Sequence, residues 1–164
     1  MLNRLLILSL AMTLFSCGPA SPPVDKAGSQ APTADTSGYD AELARKLGAD
    51  PYGMKRYVMA FLKRGPHPSA DSTPAARLQR AHLDNITRLA EEGKLVMAGP
   101  FLDDGAVRGI YIFDVETLEE ARQLTETDPS IQAGALEMEL RPWYGSAALL
   151  ELNRIHQRVQ AEDI

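Results

Sequence analysis

With 164 residues, of which 45% are hydrophobic and 24% charged, the chain is long enough for one globular domain with its own core. Its formal net charge is −5 at pH 7. This balance argues against a nucleic-acid partner, which needs a basic face, and against electrostatic docking to anionic lipid.

The N-terminal segment is typical of an export signal. Arg4 precedes an apolar run over residues 5–15, which is too short to span a bilayer because a spanning helix needs about 20 residues. The run ends in LFSC, which resembles the bacterial lipobox and implies cleavage after residues 1–16 and acylation of Cys17. The alternative is an ordinary signal peptide with a cysteine at its boundary. Because Cys17 is the only cysteine, it has no internal disulfide partner, and we prefer the lipobox interpretation.

Residues 17–38 are predicted to be the lipidated cysteine and a flexible linker rich in Pro, Ser, Ala and Gly. Acyl chains such as palmitate would hold the protein on a membrane without a transmembrane helix. We therefore expect an exported protein on the periplasmic side. Gly18 after Cys17 favours the outer membrane over the inner membrane under the sorting rule of enterobacteria.

Residues 39–54 are predicted to form an N-terminal extension with a short helix, because Leu43 and Leu47 lie four residues apart and Gly48 interrupts the pattern. The next segment, residues 55–65, is rich in Tyr, Val and Phe and predicts the first strand.

The first long helix is predicted over residues 74–92. Thr73 suits its N-cap, and Gly93 suits the left-handed position after its last turn. Its inner stripe has four members at helical spacing: Leu78, His82, Ile86 and Leu89. A histidine on an apolar stripe is either a structural residue or one that transfers protons in catalysis.

Two further strands are predicted over residues 94–101 and 109–115. Asp104-Gly105 between them predicts a hairpin, because glycine tolerates the positive φ of a tight turn.

Thr117 with Glu120 matches a capping box at the start of a second helix. Its predicted inner stripe is Leu118, Ala121, Leu124 and Thr125, and Asp128-Pro129 is expected to end it. A fourth strand is predicted over residues 134–144.

The predicted order of strand, helix, strand, strand, helix, strand is the split βαβ, or ferredoxin-like, arrangement of the α+β class. The domain is expected over residues 55–145, with helices on one face of an antiparallel sheet. Residues 146–164 are predicted to add a C-terminal helix with an apolar stripe of Leu149, Leu152, Ile155 and Val159. This helix either covers the other sheet face or joins a dimer contact.

Several motifs in this order resemble the YciI-like (YCII-related) family over residues 55–143. They are His82, then Ala98-Gly99-Pro100-Phe101, then Asp128-Pro129 followed by Gly134. The resemblance implies a homodimer of the dimeric α/β-barrel type, in which two sheets pack face to face. A few members resemble enzymes that eliminate halide from, or isomerise, cyclic or aromatic compounds without metal or cofactor. In that pattern His82 and Asp128 form a general acid/base pair. The lipoprotein leader and the extra C-terminal helix depart from the family pattern.

Each candidate site residue also has a simpler interpretation. His82 could be a hydrogen-bonded structural residue, with Asp128 capping a turn before Pro129. Gly99-Pro100 could form a pocket wall with Phe101 stacking on a flat ligand, or could be a strand end bent by proline.

The remaining polar candidates are weaker. Lys63, Arg64 and Arg108 could bind an acidic substrate, although solvated strand ends are more common. Trp143 could line a pocket for a ring, or belong to the core or a dimer interface. The three histidines, His67, His82 and His156, lack metal-ligand spacing, and we expect no metal and no cofactor.

These observations lead to a lipid-anchored YciI-like protein of the cell envelope. Its expected activity is that of a cofactor-free lyase or isomerase on a small cyclic organic molecule. The alternative is a non-catalytic ligand-binding or envelope-assembly protein with the same fold.

Overall fold

The computed structural model describes residues 38–67 and 72–162. The predicted leader, the lipidated Cys17 and the linker through residue 37 lie outside the described residues. Within the described part of the chain, no helix has both the length and the apolar character that crossing a membrane requires.

A four-stranded antiparallel sheet with helices on one face forms the domain, in the strand order β2-β3-β1-β4. The strands are β1 (Met54–Arg64), β2 (Leu95–Pro100), β3 (Val107–Phe113) and β4 (Leu136–Ser146). Helix α2 (Ser72–Glu91) connects β1 to β2, and α3 (Leu118–Thr125) and α4 (Pro129–Gln132) connect β3 to β4. This confirms the α+β, ferredoxin-like prediction.

The two faces of the sheet differ because side chains alternate along each strand. On the helix-covered face, Val58, Ala60 and Leu62 of β1 are buried. They join a core cluster with residues of the helices and the other strands, including Leu89, Leu95, Phe113 and Ala121. On the outer face, Tyr57 and Met59 belong to a second, smaller cluster with Val96, Ile112 and Trp143.

The short helix α1 (Ala41–Lys46) lies where the spacing of Leu43 and Leu47 predicts one. The Asp40 carboxylate caps it by accepting hydrogen bonds from two backbone N–H groups of the first turn.

The predicted start of the long helix is wrong, and its end is confirmed. Helix α2 begins at Ser72, so Thr73 lies in its first turn and is not the N-cap. At the other end, Gly93 has φ of 70°, and the backbone N–H of Lys94 donates to the carbonyl of Leu89 at 2.9 Å. This is the glycine-terminated helix end that the sequence predicts.

The hairpin between β2 and β3 is present, but the reason given for it is wrong. Gly105 is not among the described glycines with positive φ. Instead, a loop over residues 101–106 joins the strands, and the Asp103 carboxylate accepts a hydrogen bond from the Gly105 N–H at 3.1 Å. Asp103 therefore stabilises the turn through its side chain.

Helix α3 begins with the predicted capping box of Thr117 and Glu120. Two of its expected inner residues, Ala121 and Thr125, are buried, whereas Leu118 is exposed, so its place on the inner stripe is wrong.

Asp128 does not end the second helix, because α3 already stops at Thr125. The Asp128 side chain accepts from the Ser130 N–H at 2.8 Å and starts the separate turn α4. Proline at the first position of α4 suits a helix start, since its missing N–H has no intrahelical partner there.

The added C-terminal helical segment is present in two short pieces, a 3₁₀ helix (Ala147–Glu151) and α5 (Leu152–His156). Its predicted apolar stripe is wrong at Ile155 and Val159, which are exposed, whereas Leu152 is half-buried. Leu149 and Leu150 pack instead against the outer-face cluster. The segment thus covers one end of the outer face of its own subunit.

Candidate active site

A cavity of about 550 Å³ lies between α2 and the helix-covered face of the sheet. Its walls are mostly apolar, with side chains from the helix, β1 and β4: Leu62, Leu78, Leu83, Ile86 and Leu136. Polar groups reach it from His82, Tyr111 and Ser130. A mostly apolar cavity with a few convergent polar groups suits a small organic ligand.

His82 and Asp128 come together at this cavity from different elements. The helical spacing of the α2 stripe directs His82 inward, and the N-cap position of α4 places Asp128 beside it. The His82 Nδ1 atom lies 2.7 Å from the Asp128 Oδ2 atom. Both side chains are buried, with 7% of His82 and 0% of Asp128 exposed.

Asp128 performs two structural tasks with its two oxygens. Oδ1 accepts from the Ser130 N–H, and Oδ2 faces the imidazole. The turn-capping interpretation and the pairing with His82 are therefore compatible. Because the cap fixes the carboxylate, the imidazole meets an acceptor whose position is set before any ligand arrives.

Tyr111 completes the cluster, and the sequence reasoning missed it. Its hydroxyl lies 3.3 Å from the Nε2 atom of His82, and the two rings stack with centroids 6.3 Å apart. Burial, together with the negative charge of Asp128, raises the pKa of the Tyr111 phenol well above its ordinary value. The available signal was a tyrosine at a core-facing position of β3, since a buried phenol needs a hydrogen-bond partner.

The geometry selects one tautomer of His82. An ionised Asp128 can only accept a hydrogen bond, so the His82 proton stays on Nδ1 and Nδ1–H donates to Oδ2. Nε2 then carries a lone pair and accepts from the neutral Tyr111 hydroxyl. Such an imidazole can take a proton at Nε2 while Asp128 stabilises the resulting charge, which is the arrangement of a general base.

The three predicted ligand-binding residues, Gly99, Pro100 and Phe101, all line the cavity. Gly99 and Pro100 end β2, and Phe101 follows directly. Because β2 is an edge strand, one of its sides has no partner strand that would need the N–H that proline lacks. Phe101 is 46% exposed and lies at the cavity mouth. Gly109 of β3, also in the lining, permits the close approach of the two strands, since a Cβ there would lie 2.7 Å from the Gly99 carbonyl oxygen.

A second polar network holds the segment before Asp128 against α2, and the sequence did not indicate it. The Arg88 Nη2 atom donates to the Asn85 Oδ1 atom at 2.8 Å and to the Thr127 hydroxyl at 2.9 Å. Asn85 is buried, and its Nδ2 atom has no hydrogen-bond partner among the described residues. The network thus connects α2 to the residue that precedes Asp128.

Two other candidates lie away from the cavity. Lys63 forms an ion pair with Glu139 on the outer face, and Trp143 packs against Tyr57 there, with ring centroids 5.8 Å apart. Arg64 and Arg108, by contrast, both line the cavity. Across residues 38–67 and 72–162, no three metal-ligating side chains cluster.

Comparison with known proteins finds a matching family, a curated relative and matching solved structures. The family model described as "YCII-related domain" matches residues 57–144. The uncharacterized protein YjpA of Bacillus subtilis (strain 168) is 36% identical over 62 residues, which are 38% of this chain and 71% of that protein. Among solved structures, 5-chloro-2-hydroxyhydroquinone dehydrochlorinase (TftG) of Burkholderia phenoliruptrix AC1100, in complex with 2,5-dihydroxybenzoquinone, gives a TM-score of 0.41. It is 21% identical, and the match covers 54% of this chain and 93% of that one.

Proposed function

Since this chain belongs to the family of proteins with a YCII-related domain, we propose that it is an enzyme that moves a proton on a small cyclic organic molecule. The observation that carries the proposal is His82 on the wall of a 550 Å³ cavity, with the buried Asp128 at its Nδ1 atom and Tyr111 at its Nε2 atom.

In the proposed reaction, Asp128 holds the Nδ1 proton of His82, and Nε2 removes a proton from a ring carbon of the substrate. The electron pair of that C–H bond forms a new double bond. In a lyase, a group on the neighbouring carbon then leaves with its bonding electrons. In an isomerase, an existing double bond of the ring shifts as the new one forms, and its electrons take the proton back from His82 at another ring carbon. Both reactions need only a proton carrier, and a positioned base contributes about 10²- to 10⁴-fold.

The shape of the cavity supports a flat substrate. Pro100 and Phe101 form one wall near the mouth, and leucines of α2 and β1 form others. Phe101 has a large exposed ring surface on which an aromatic or quinonoid ring can stack. The neutral Tyr111 hydroxyl has one proton to donate, either to His82 Nε2 or to the substrate. Turning this donor from Nε2 to a bound substrate would free the Nε2 lone pair and stabilise negative charge that develops on the substrate.

The test is a turnover screen of cyclic acids and phenols with the full-length protein and its His82→Gln variant. We expect kcat of the variant to fall by about 10²-fold or more, with substrate binding retained. Asp128→Asn should also lower kcat, because an amide does not hold the imidazole in the same tautomer. Asp84→Asn is the matched control, since Asp84 lies on the exposed side of α2.

Unchanged turnover in His82→Gln would overturn the proposed mechanism. If the wild-type protein instead binds a ring compound that it never converts, and His82→Gln binds it equally well, the protein is a non-catalytic binder with the same fold.

We also propose that the protein is exported and anchored by lipid on Cys17 at the periplasmic side, with the outer membrane favoured. The LFSC motif and the absence of another cysteine in the chain support this. Mass spectrometry of the mature N-terminus should find an acylated Cys17 as the first residue. An unmodified Cys17 would contradict the anchor.

We further propose a homodimer through the outer face of the sheet. Met59, Phe61 and Ile110 are partly exposed there, beyond the end covered by the 3₁₀ helix. Sedimentation should give a dimer for the wild-type protein and a monomer for Ile110→Asp, because the interface would have to bury a charged carboxylate in place of an apolar side chain. A wild-type monomer at all concentrations would contradict this interface.

A further inference from the structure

The permanently charged residues in the lining of the cavity have one sign. Among the described residues that line it, they are Arg64 and Arg108. None of these lining residues is an aspartate or a glutamate, although the chain as a whole carries a net charge of −5. Asp128 is fully buried and does not line the cavity. The two arginines attract anions to the part of the cavity that they line, whereas the charge of Asp128 behind His82 opposes anions there.

The neighbouring cations Lys63 and Arg64 lie on opposite faces of the sheet, and only Arg64 lines the cavity. Alternation along β1 places Lys63 on the outer face, where Glu139 neutralises it. Arg64 points to the helix-covered face, opposite Leu136, which also lines the cavity. Arg64 has no ion pair with any described residue, so its guanidinium is available to a ligand.

Arg108 is held in position without being fully neutralised. Its Nη1 atom donates to the Asp103 carbonyl at 2.9 Å. The Asp104 carboxylate is 3.6 Å away and fully exposed, and such solvated pairs are weak. Within the described part of the chain, the Nη2 and Nε groups of Arg108 have no partner. A carbonyl that fixes one nitrogen leaves the other edge of the guanidinium for a carboxylate, which it matches in geometry.

We propose that the substrate is a ring that carries a carboxylate, and that Arg64 and Arg108 bind this group while the ring lies toward His82. This inference rests on the proposed function, because it names the substrate class of that same cavity. Arg64 and Arg108 directly follow Lys63 and Val107, which pair across β1 and β3. A carboxylate held by both arginines would orient the ring relative to His82.

The test compares two probes of equal shape, 4-hydroxybenzoate and its neutral analogue 4-hydroxybenzamide, by titration calorimetry with the full-length protein. We expect the benzoate to bind about tenfold more tightly, with a preference that weakens at high salt. Arg64→Gln and Arg108→Gln should each remove most of that preference and leave the benzamide affinity unchanged. Arg77→Gln is the matched control, since Arg77 is exposed on α2 and does not line the cavity.

Equal binding of the two probes by the wild-type protein would overturn the inference, and so would arginine variants that weaken both probes alike. Binding of neither probe would overturn it together with the small-ring cavity. His82→Gln separates the two proposals. If this variant keeps the benzoate preference and also keeps turnover, the proton-transfer mechanism fails and the carboxylate site stands. If the preference is absent and His82→Gln still loses turnover, the carboxylate site fails and the mechanism stands.

Discussion

The two ends of helix α2 lie over different surroundings on the same sheet face. Near its C-terminal end, Leu89 is almost completely buried in a cluster with Leu95 and Phe113. Nearer its start, Leu78 is only half-buried and faces the cavity, and His82 follows one turn later. The same stripe of a single helix therefore serves as core at one end and as a ligand-binding wall at the other.

This difference between the two ends of α2 explains why the polar cluster lies near the start of the helix. At the packed end, the Leu89 side chain is enclosed by the core, and this packing fixes the helix against the sheet. The open end holds the imidazole between a capped carboxylate and a buried phenol. Rigid packing at one end thus keeps the polar cluster at the other end in place.

The largest expected effect comes from truncating the same residue type at each end. Leu89→Ala should lower the free energy of unfolding by about 3 kcal/mol, because it leaves a cavity among fully buried side chains. Leu78→Ala should cost less than about 1 kcal/mol, since its side chain already borders open space. Urea denaturation of both variants measures the difference. Equal losses would mean that the two ends are packed alike.

The second largest effect on stability is expected from substituting one of two glycines that line the cavity. A Cβ at Gly109 would lie 2.7 Å from the Gly99 carbonyl oxygen, whereas a Cβ at Gly99 would have no atom within 4 Å. Gly109→Ala should therefore destabilise the protein by about 2 kcal/mol, because backbone must move. Gly99→Ala is the control and should be close to neutral. Thermal unfolding decides this, and a neutral Gly109→Ala would show that β2 is free to shift.

The smallest expected effect is a loss of stability at alkaline pH, which tests whether the Tyr111 hydroxyl is shielded from water. Burial, more than the charge of Asp114, raises the pKa of Tyr57 to about 12, and burial raises the pKa of Tyr111 further. Unfolded tyrosine ionises near pH 10. The contribution of each residue is therefore complete below pH 10 and is lost as pH rises toward its folded pKa.

Each of these tyrosines should account for about 1 kcal/mol of lost stability between pH 10 and pH 11. Tyr111→Phe and Tyr57→Phe should each reduce the loss measured by urea denaturation across that interval. Suppose that Tyr111→Phe leaves the stability loss between pH 10 and pH 11 unchanged, while Tyr57→Phe reduces it. Water then reaches the Tyr111 hydroxyl through the cavity, and its pKa is not raised.

Much of the fold could be predicted because it depends on neighbours in the chain. The capping box of Thr117 and Glu120 joins residues three apart, and the helix end at Gly93 depends on the conformational freedom of glycine. The predicted start at Thr73 failed since several residues near a helix end can begin it. Gly105 failed since the longer loop uses the Asp103 side chain instead.

The candidate site could be predicted only in part. A pairing of His82 with Asp128 was expected from a family resemblance, and the structure brings the two within hydrogen-bond distance. Their role in catalysis stays a proposal. Tyr111, Asn85 and the placement of Arg64 with Arg108 in one cavity were not foreseen. The position of each of these residues depends on which helices and strands pack against each other, and local sequence patterns do not indicate that.

The sequence by itself determined the order of helices and strands, because hydrophobic period and capping act over a few residues. Only the tertiary structure decided the site. His82 meets Tyr111 across 29 positions of the chain and Asp128 across 46. Val159 is exposed although its helical spacing predicts a buried position, because no other element of the described residues packs against it. The physical reason is that contacts between distant residues depend on how whole elements pack, and packing is a property of the assembled core.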